Sequence, residues 1–290
     1  MFGECHGHIF MNGVNYKEAV ACHKNGVNKE VVKKRLEEYQ KAGISFFREG
    51  GDYLGVSSYA AKIAGDYGID YRSPVFAIHK KGHYGSIVGL EYESFPEFAA
   101  LVKKAAEQGA DFIKIMFSGL LDFNTFGRTT GTGLSFSEMK ELVHICHEEG
   151  FSVMVHVNSA QTVHDAILSG VDSIEHGAYM TETELSLLAE RETVWVPTIS
   201  PVGNLLGKGL FDEKTVDAIV RMQTENVRRA FELGVHVALG SDAGAVTVPH
   251  CSGLEDEYEY LLKAADGDKE KLDDILSCSE AMIRDKFKRK

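Results

Sequence analysis

Six side chains form a set able to hold and use metal ions: His6, His8, Lys114, His156, His176 and Asp242. His6 and His8 are two residues apart. In an extended strand such residues share a face, so both imidazoles can address one cation. Lys114 interrupts the apolar run Phe112-Ile113-Lys114-Ile115-Met116, His156 closes Val153-Met154-Val155-His156, and His176 closes Ile174-Glu175-His176. Asp242 follows Ala238-Leu239-Gly240-Ser241. Each has an ordinary alternative. An isolated His-x-His often binds nothing, and a histidine at a strand end is commonly a hydrogen-bonded rim residue. A lysine in a strand can snorkel to the rim, and an aspartate after a strand can cap the next helix. The chemical reading rests on recurrence: imidazoles, an amine and a carboxylate fall at corresponding ends of several apolar runs. Cys5, beside the histidine pair, is a soft donor. Strict alternation puts it on the opposite face of the strand, outside the ligand set.

The runs themselves read as strands. Short stretches rich in β-branched and aromatic residues alternate with helical ones, the pattern of repeated βα units and a parallel sheet. Strands are expected at 3–9, 44–48, 74–78, 112–117, 152–157, 173–176, 194–198 and 236–241. Helices are expected at 29–41, 95–108 and 254–265, with another ending at Glu149-Gly150. Gly43, Gly109, Gly150, Gly170 and Gly234 each precede a strand, where a left-handed residue would stop the preceding helix. Ser94 and Ser137 stand where an N-cap is wanted. Strict alternation favours a closed (β/α)8 TIM barrel of the α/β class, as a single domain over 1–290. An open doubly wound sheet would usually carry a glycine-rich phosphate fingerprint after its first strand. Here that strand runs into His6-Gly7-His8. In a barrel, the six chemical residues would meet at the C-terminal strand ends, where barrel enzymes work.

Composition narrows the partners. The 290 residues are 44% hydrophobic and 26% charged, enough to bury a large core. A net charge of -12 repels phosphate backbones, so no nucleic-acid partner is expected; the basic stretch 286–290 is short. No run approaches the roughly 18 apolar residues of a membrane span. No basic segment followed by an apolar one opens the chain, so no signal peptide is expected. Five scattered cysteines suit reduced thiols in the cytoplasm better than a disulfide framework.

The ordered set His6-x-His8, Lys114, His156, His176, Asp242 resembles the amidohydrolase superfamily. The words Val171-Asp172-Ser173-Ile174-Glu175-His176-Gly177 and Gly240-Ser241-Asp242-Ala243-Gly244 are similar to its imidazolonepropionase-like and prolidase-like members. The resemblance implies two divalent cations, with zinc suited to imidazole donors and manganese, iron or cobalt as alternatives. His6 and His8 would hold the first with Asp242, His156 and His176 the second. Lys114 would bridge them as a carbamate formed with CO2. Two such cations would lower the pKa of water and polarise a scissile carbonyl, with Asp242 as general base. A single-metal site would leave Lys114 a plain amine. Two departures matter. The small β-sandwich usual in such members is not expected here, which suggests an oligomer interface in its place, hence a homo-oligomer. Deaminases of the superfamily carry a glutamate shortly after the strand-five histidine, and His156-Val157-Asn158-Ser159 supplies none.

The reading that follows is a metal-dependent hydrolase of amide bonds in a small molecule: a dipeptide, an N-acyl amino acid or a cyclic amide. An esterase or phosphoesterase on the same site is the nearest alternative. A non-catalytic metal-binding or regulatory barrel is the alternative of another class. For substrate contacts the candidates are Arg128, whose fork fits a carboxylate, His83, Tyr179 and His250. The glycine-rich stretch 203–209 is a candidate lid. His144 and His147 read as solvated, and 48–52 as structural hydrogen bonding at the rim.

Overall fold

The computed structural model describes residues 2–289. Nine short strands all pair in parallel: β1 (Glu4–Gly7), β2 (Phe46–Glu49), β3 (Asp70–Arg72), β4 (Ala77–Lys80), β5 (Gly89–Tyr92), β6 (Ile113–Met116), β7 (Val153–Val157), β8 (Ser173–His176) and β9 (Val194–Val196). They form two ladders, β1-β2-β3 and β5-β4-β6-β7-β8-β9. Residues 236–243 join them on one side. Trp195 N donates to His236 O and Ala238 N to Trp195 O, while Cys5 N donates to Leu239 O and Asp242 N to His6 O. On the other side the join is covalent, because only four residues separate the end of β3 from the start of β4. The ring is a (β/α)8 TIM barrel.

Sequence periodicity explains the layers. Ile113, Ile115, Val153, Val155 and Ile174 face outward into the main apolar cluster with the helices. Their inward neighbours Phe112 and Met154 join Phe46, Val194, Val196 and Ala238 in a separate interior cluster. Each outer helix meets the wall with one apolar stripe. In Phe136–Glu148 the buried Met139, Leu142, Val143 and Cys146 follow 3.6-residue spacing. Ser135 and Glu138 close its N-terminus as a capping box, so the cap lies two residues before the expected Ser137. Ser94 does stand at the N-cap of Phe95–Glu107, without a side-chain bond. Gly43, Gly109, Gly150, Gly170 and Gly234 all have positive φ, as their stop role requires.

Four features differ from the sequence expectation. In place of one third strand at 74–78 there are two, β3 before that range and β4 overlapping its end, because Pro74 has no N–H for the ladder and Val75 sits at φ 67°. β3 pairs with β2, and β4 pairs with β6 and with the additional strand β5. The eighth strand forms only isolated bridges, Trp195 with Val237 and Gly7 with Ala243. The register of β1 on β2 shifts between Glu4 and Gly7, an extra residue in β1. Because of that bulge Cys5 lies in the interior cluster with Phe46 and Met154, not on the outer face that alternation demanded. Finally, the helix Lys269–Lys286 was not expected. It closes the N-terminal mouth: Ile283 and Phe287 enter the interior cluster, and Phe287 stacks edge-on to Phe112 with centroids 5.3 Å apart.

Candidate metal centre

The six residues singled out by type and spacing converge at the C-terminal end of the ring. Nε2 of His6 lies 3.6 Å from Asp242 Oδ1, and Nε2 of His8 lies 3.4 Å from the same oxygen. One donor atom from each of these three residues falls within 4.8 Å of the others, tight enough for a shared cation. The His6 and His176 ring centroids are 5.2 Å apart, and those of His156 and His176 are 4.5 Å apart. Lys114 comes in from the neighbouring strand β6. Its Nζ is buried and has no hydrogen-bond partner.

The second ring nitrogens show how each imidazole is aimed. His6 Nδ1 is 2.7 Å from Glu175 Oε2, which leaves Nε2 toward Asp242. His176 Nδ1 is 2.6 Å from Thr198 Oγ1. His156 Nε2 is 3.1 Å from the Gly119 carbonyl, so its Nδ1 is uncommitted. Such outer contacts fix tautomer and orientation at metal sites. Backbone strain concentrates here as well: His176, Thr198 and Asp242 have φ of 69°, 48° and 58°. For a β-branched threonine that conformation is costly and persists only when its surroundings enforce it.

Burial sets the charge states. It pushes His8 and His156 down to about 3, with Lys114 as a second cause, and His6 and His176 well below their usual range. Neutral imidazoles are the form that ligates metal. Burial also lowers the Lys114 amine against the pull of Glu175 and Asp242, and raises the Asp242 carboxyl against the pull of Lys114.

Beneath the cluster lies a network that sequence reasoning did not resolve. Arg48 is fully buried. It donates to Cys5 O at 2.6 Å, Ser173 Oγ at 2.8 Å and Glu175 Oε1 at 2.8 Å. The signal was present as charged residues at inward positions of apolar strands. The expectation of structural hydrogen bonding for 48–52 was sound in kind, but Arg48 lies inside the barrel and not on its rim.

The proposed substrate contacts are placed differently. The cluster forms the floor of a cavity of about 430 Å³ whose walls include Leu205, Leu210 and Phe211 from the glycine-rich stretch and its flank. Arg128, His83, Tyr179 and His250 are not among its walls. Arg128 is exposed. His83 Nδ1 lies 3.0 Å from Thr132 O. Tyr179 packs edge-on to Phe126. His250 uses both ring nitrogens, 3.0 Å from Tyr39 Oη and 2.9 Å from Met11 O. His144 is exposed, and His147 pairs with Asp172 at 3.0 Å on the outer surface. Gln223 was missed. It lies on the helix Glu213–Leu233 and is a buried wall of the cavity. A polar residue in the apolar register of that helix (Val216, Ile219, Gln223, Val227, Ala230) was the available signal.

With this geometry in hand, known proteins supply a frame. The sequence model of the amidohydrolase family matches residues 4–266. An uncharacterised protein of Mycobacterium tuberculosis is 29% identical over 193 residues, covering 61% of this chain and 48% of that protein. Ochratoxinase of Aspergillus niger is 26% identical over 188 residues, covering 63% of this chain and 38% of the fungal protein. The chain thus spans about half the length of the mycobacterial relative and less of the fungal one. Among solved structures, a Xaa-Pro dipeptidase with methionine bound in its active site superposes with a TM-score of 0.76 at 21% identity, covering 98% of this chain and 75% of that one. Ochratoxinase from A. niger superposes with a TM-score of 0.74 at 20% identity, covering 94% and 68%. These likenesses are ones of fold.

Proposed function

The chain belongs to the amidohydrolase family, and on that premise we propose that it hydrolyses an amide carbon–nitrogen bond at a divalent-metal centre held by His6, His8, Lys114, His156, His176 and Asp242. The observation that carries this reading is the convergence of the His6, His8 and Asp242 donors around one point, beside a buried Lys114 Nζ that nothing in the protein satisfies. A buried, unpartnered amine costs stability, so its retention suits a group that acquires a partner. The donor set fits zinc, with manganese, iron or cobalt as alternatives.

Divalent cations bound there would supply Lewis acidity toward the carbonyl and bring water toward ionisation near neutral pH. The protein's own residues do the rest. Asp242 accepts the proton of the attacking water and delivers it to the departing nitrogen. The water oxygen bonds to the carbonyl carbon, the carbon–nitrogen bond breaks, and a carboxylic acid and an amine result. Glu175, anchored by Arg48 and Ser173, sets its Oε2 2.7 Å from His6 Nδ1, where it favours the imidazole orientation that leaves Nε2 toward Asp242. Burial lowers the Lys114 amine toward its neutral form, the form that adds to CO2 with loss of a proton. The resulting carbamate would add a negative charge and oxygen donors to the residues that hold the cations.

A single-cation version has its own support. Among the described residues only His6, His8 and Asp242 form a three-donor group that tight. Elemental analysis of protein purified without chelator and with bicarbonate separates the two. About two metals per chain, falling in Lys114→Ala, is the expected result. One metal, unchanged in that variant, assigns Lys114 a structural role. No metal after supplying zinc or manganese, or metal without turnover across an amide library, defeats the hydrolase reading.

A further inference from the structure

The cavity above the cluster is unusual in what its walls lack. Among the described residues they include no arginine, and their one lysine is Lys114 on the floor. The walls are instead built from side chains such as Ile87, Leu120, Phe123, Leu205 and Phe211. The apolar character continues outward. Tyr16, Leu120, Leu210, Phe211 and Val246 all line the cavity yet remain exposed, Leu210 by 56%. Exposed apolar side chains grouped around one opening mark a surface that receives an apolar ligand.

Above the histidine and lysine floor, the polar groups of Asn158 and Thr198 are committed. Asn158 gives its amide N–H to Gly119 O at 3.2 Å and accepts from Ala178 N at 3.2 Å. Thr198 Oγ1 lies between His176 and Pro197 O. Gln223, on the helix wall, is not committed. It is 1% exposed, and its Oε1 has no hydrogen-bond partner. Nothing in its sequence register requires a polar residue, since its neighbours along the stripe are Ile219 and Val227. An unsatisfied amide in an apolar wall costs stability and is repaired when a ligand offers the complementary group.

We propose that this cavity takes an uncharged, largely apolar amide, and that Gln223 is a specificity-determining residue that hydrogen-bonds the one neutral polar group such a molecule carries away from the scissile bond. The proposal deepens the amide-hydrolase reading and rests on it. It narrows the substrate range by setting aside free dipeptides and N-acyl amino acids. Away from the floor, where Lys114 lies, their carboxylate would enter these walls without a cationic side chain to meet it.

The test uses an isosteric pair, N-octanoylphenylalaninamide and N-octanoylphenylalanine, which differ in a terminal carboxamide or carboxylate. Binding is measured by titration calorimetry on metal-loaded Asp242→Asn protein, so that turnover does not consume the ligand. The carboxamide is expected to bind at least tenfold more tightly. Adding Gln223→Leu should weaken the carboxamide about tenfold, leave the carboxylate nearly unchanged and raise the Tm of the free protein. A merely structural glutamine would instead lower Tm on replacement. Equal or tighter binding of the carboxylate, or no binding of either, overturns the substrate class. A Gln223→Leu protein that binds the carboxamide normally overturns the role of Gln223. Hydrolysis by the wild-type protein is scored separately. A binding preference without turnover of either compound counts against the hydrolase reading and leaves the pocket assignment standing.

Discussion

The two ends of the barrel interior are built on opposite principles. In the lower layer polar groups are paired and space is filled. Arg48 spends its guanidinium on Cys5 O, Ser173 and Glu175, with Phe287 against it at 4.5 Å. In the upper layer Lys114 Nζ has no hydrogen-bond partner, backbone is strained at His176, Thr198 and Asp242, and a cavity is left open. The same strands supply both layers, two residues apart at β6 (Phe112, just before it, and Lys114) and on β7 (Met154 and His156). Stability is therefore concentrated at the N-terminal end and reactivity at the other, with Glu175 as the hinge between them. One of its oxygens serves Arg48 below and the other faces His6 above.

That contrast is open to attack from both sides. The largest effect expected is at the top: Asp242→Asn should lower kcat by about 10²- to 10⁴-fold. Thermal unfolding should barely change, and a collapse of Tm there would mean that the site is also structural. At the bottom the pattern should invert. Arg48→Met strands Glu175 as a buried charge and should cost about 3 to 5 kcal/mol in urea unfolding. Phe287→Ala should cost about 3 to 5 kcal/mol through lost packing. Lys114→Met is the sharper probe, because it should stabilise the metal-free protein by about 1 to 3 kcal/mol while abolishing activity. Loss of stability in that variant would show the amine to be satisfied.

The smallest effect is on pH dependence. In the metal-free protein the upper histidines titrate far below their unfolded value of about 6.5. Above that value neither state binds the proton. As pH falls from about 6.5 toward about 3 the unfolded chain takes up protons that the folded one refuses, so stability drops. Glu4 and Glu49, raised by burial to about 8, work in the opposite sense. Their contribution is complete below the unfolded carboxylate value and is lost as pH rises through about 8. Denaturant midpoints measured across pH should show the acid-side slope flatten in His156→Ala. An unchanged slope would place the acid sensitivity elsewhere.

Much of this was legible in the residues. Alternation located the strands, glycines marked the helix ends, and the six residues that converge at the C-terminal end were picked out by their types at strand ends, because each signal is local. What escaped depends on distant parts meeting. The bulge that turns Cys5 inward leaves no compositional trace, since it arises from pairing with β2. Pro74 was visible, but which neighbour the strand on each side of it would choose was not. The helix Lys269–Lys286 was overlooked because its hydrophobic stripe is short, and its role appears only against the ring's lower mouth. The substrate candidates Arg128, His83, Tyr179 and His250 were chosen by chemical type in loops. Loop side chains are aimed by tertiary contacts, and the cavity walls are drawn from apolar residues that no motif marks.

The seam between β1 and residues 236–243 has a kinetic consequence. Glu4 and Ser241 are bonded across 237 residues of chain, among the most distant contacts in the fold. Contacts of such sequence separation form late, after local βα units have collapsed. His6 and His8 lie on one side of that seam and Asp242 on the other. The candidate trio therefore comes together only when the ring shuts, and capture of a metal ion by these three residues would report the final act of folding.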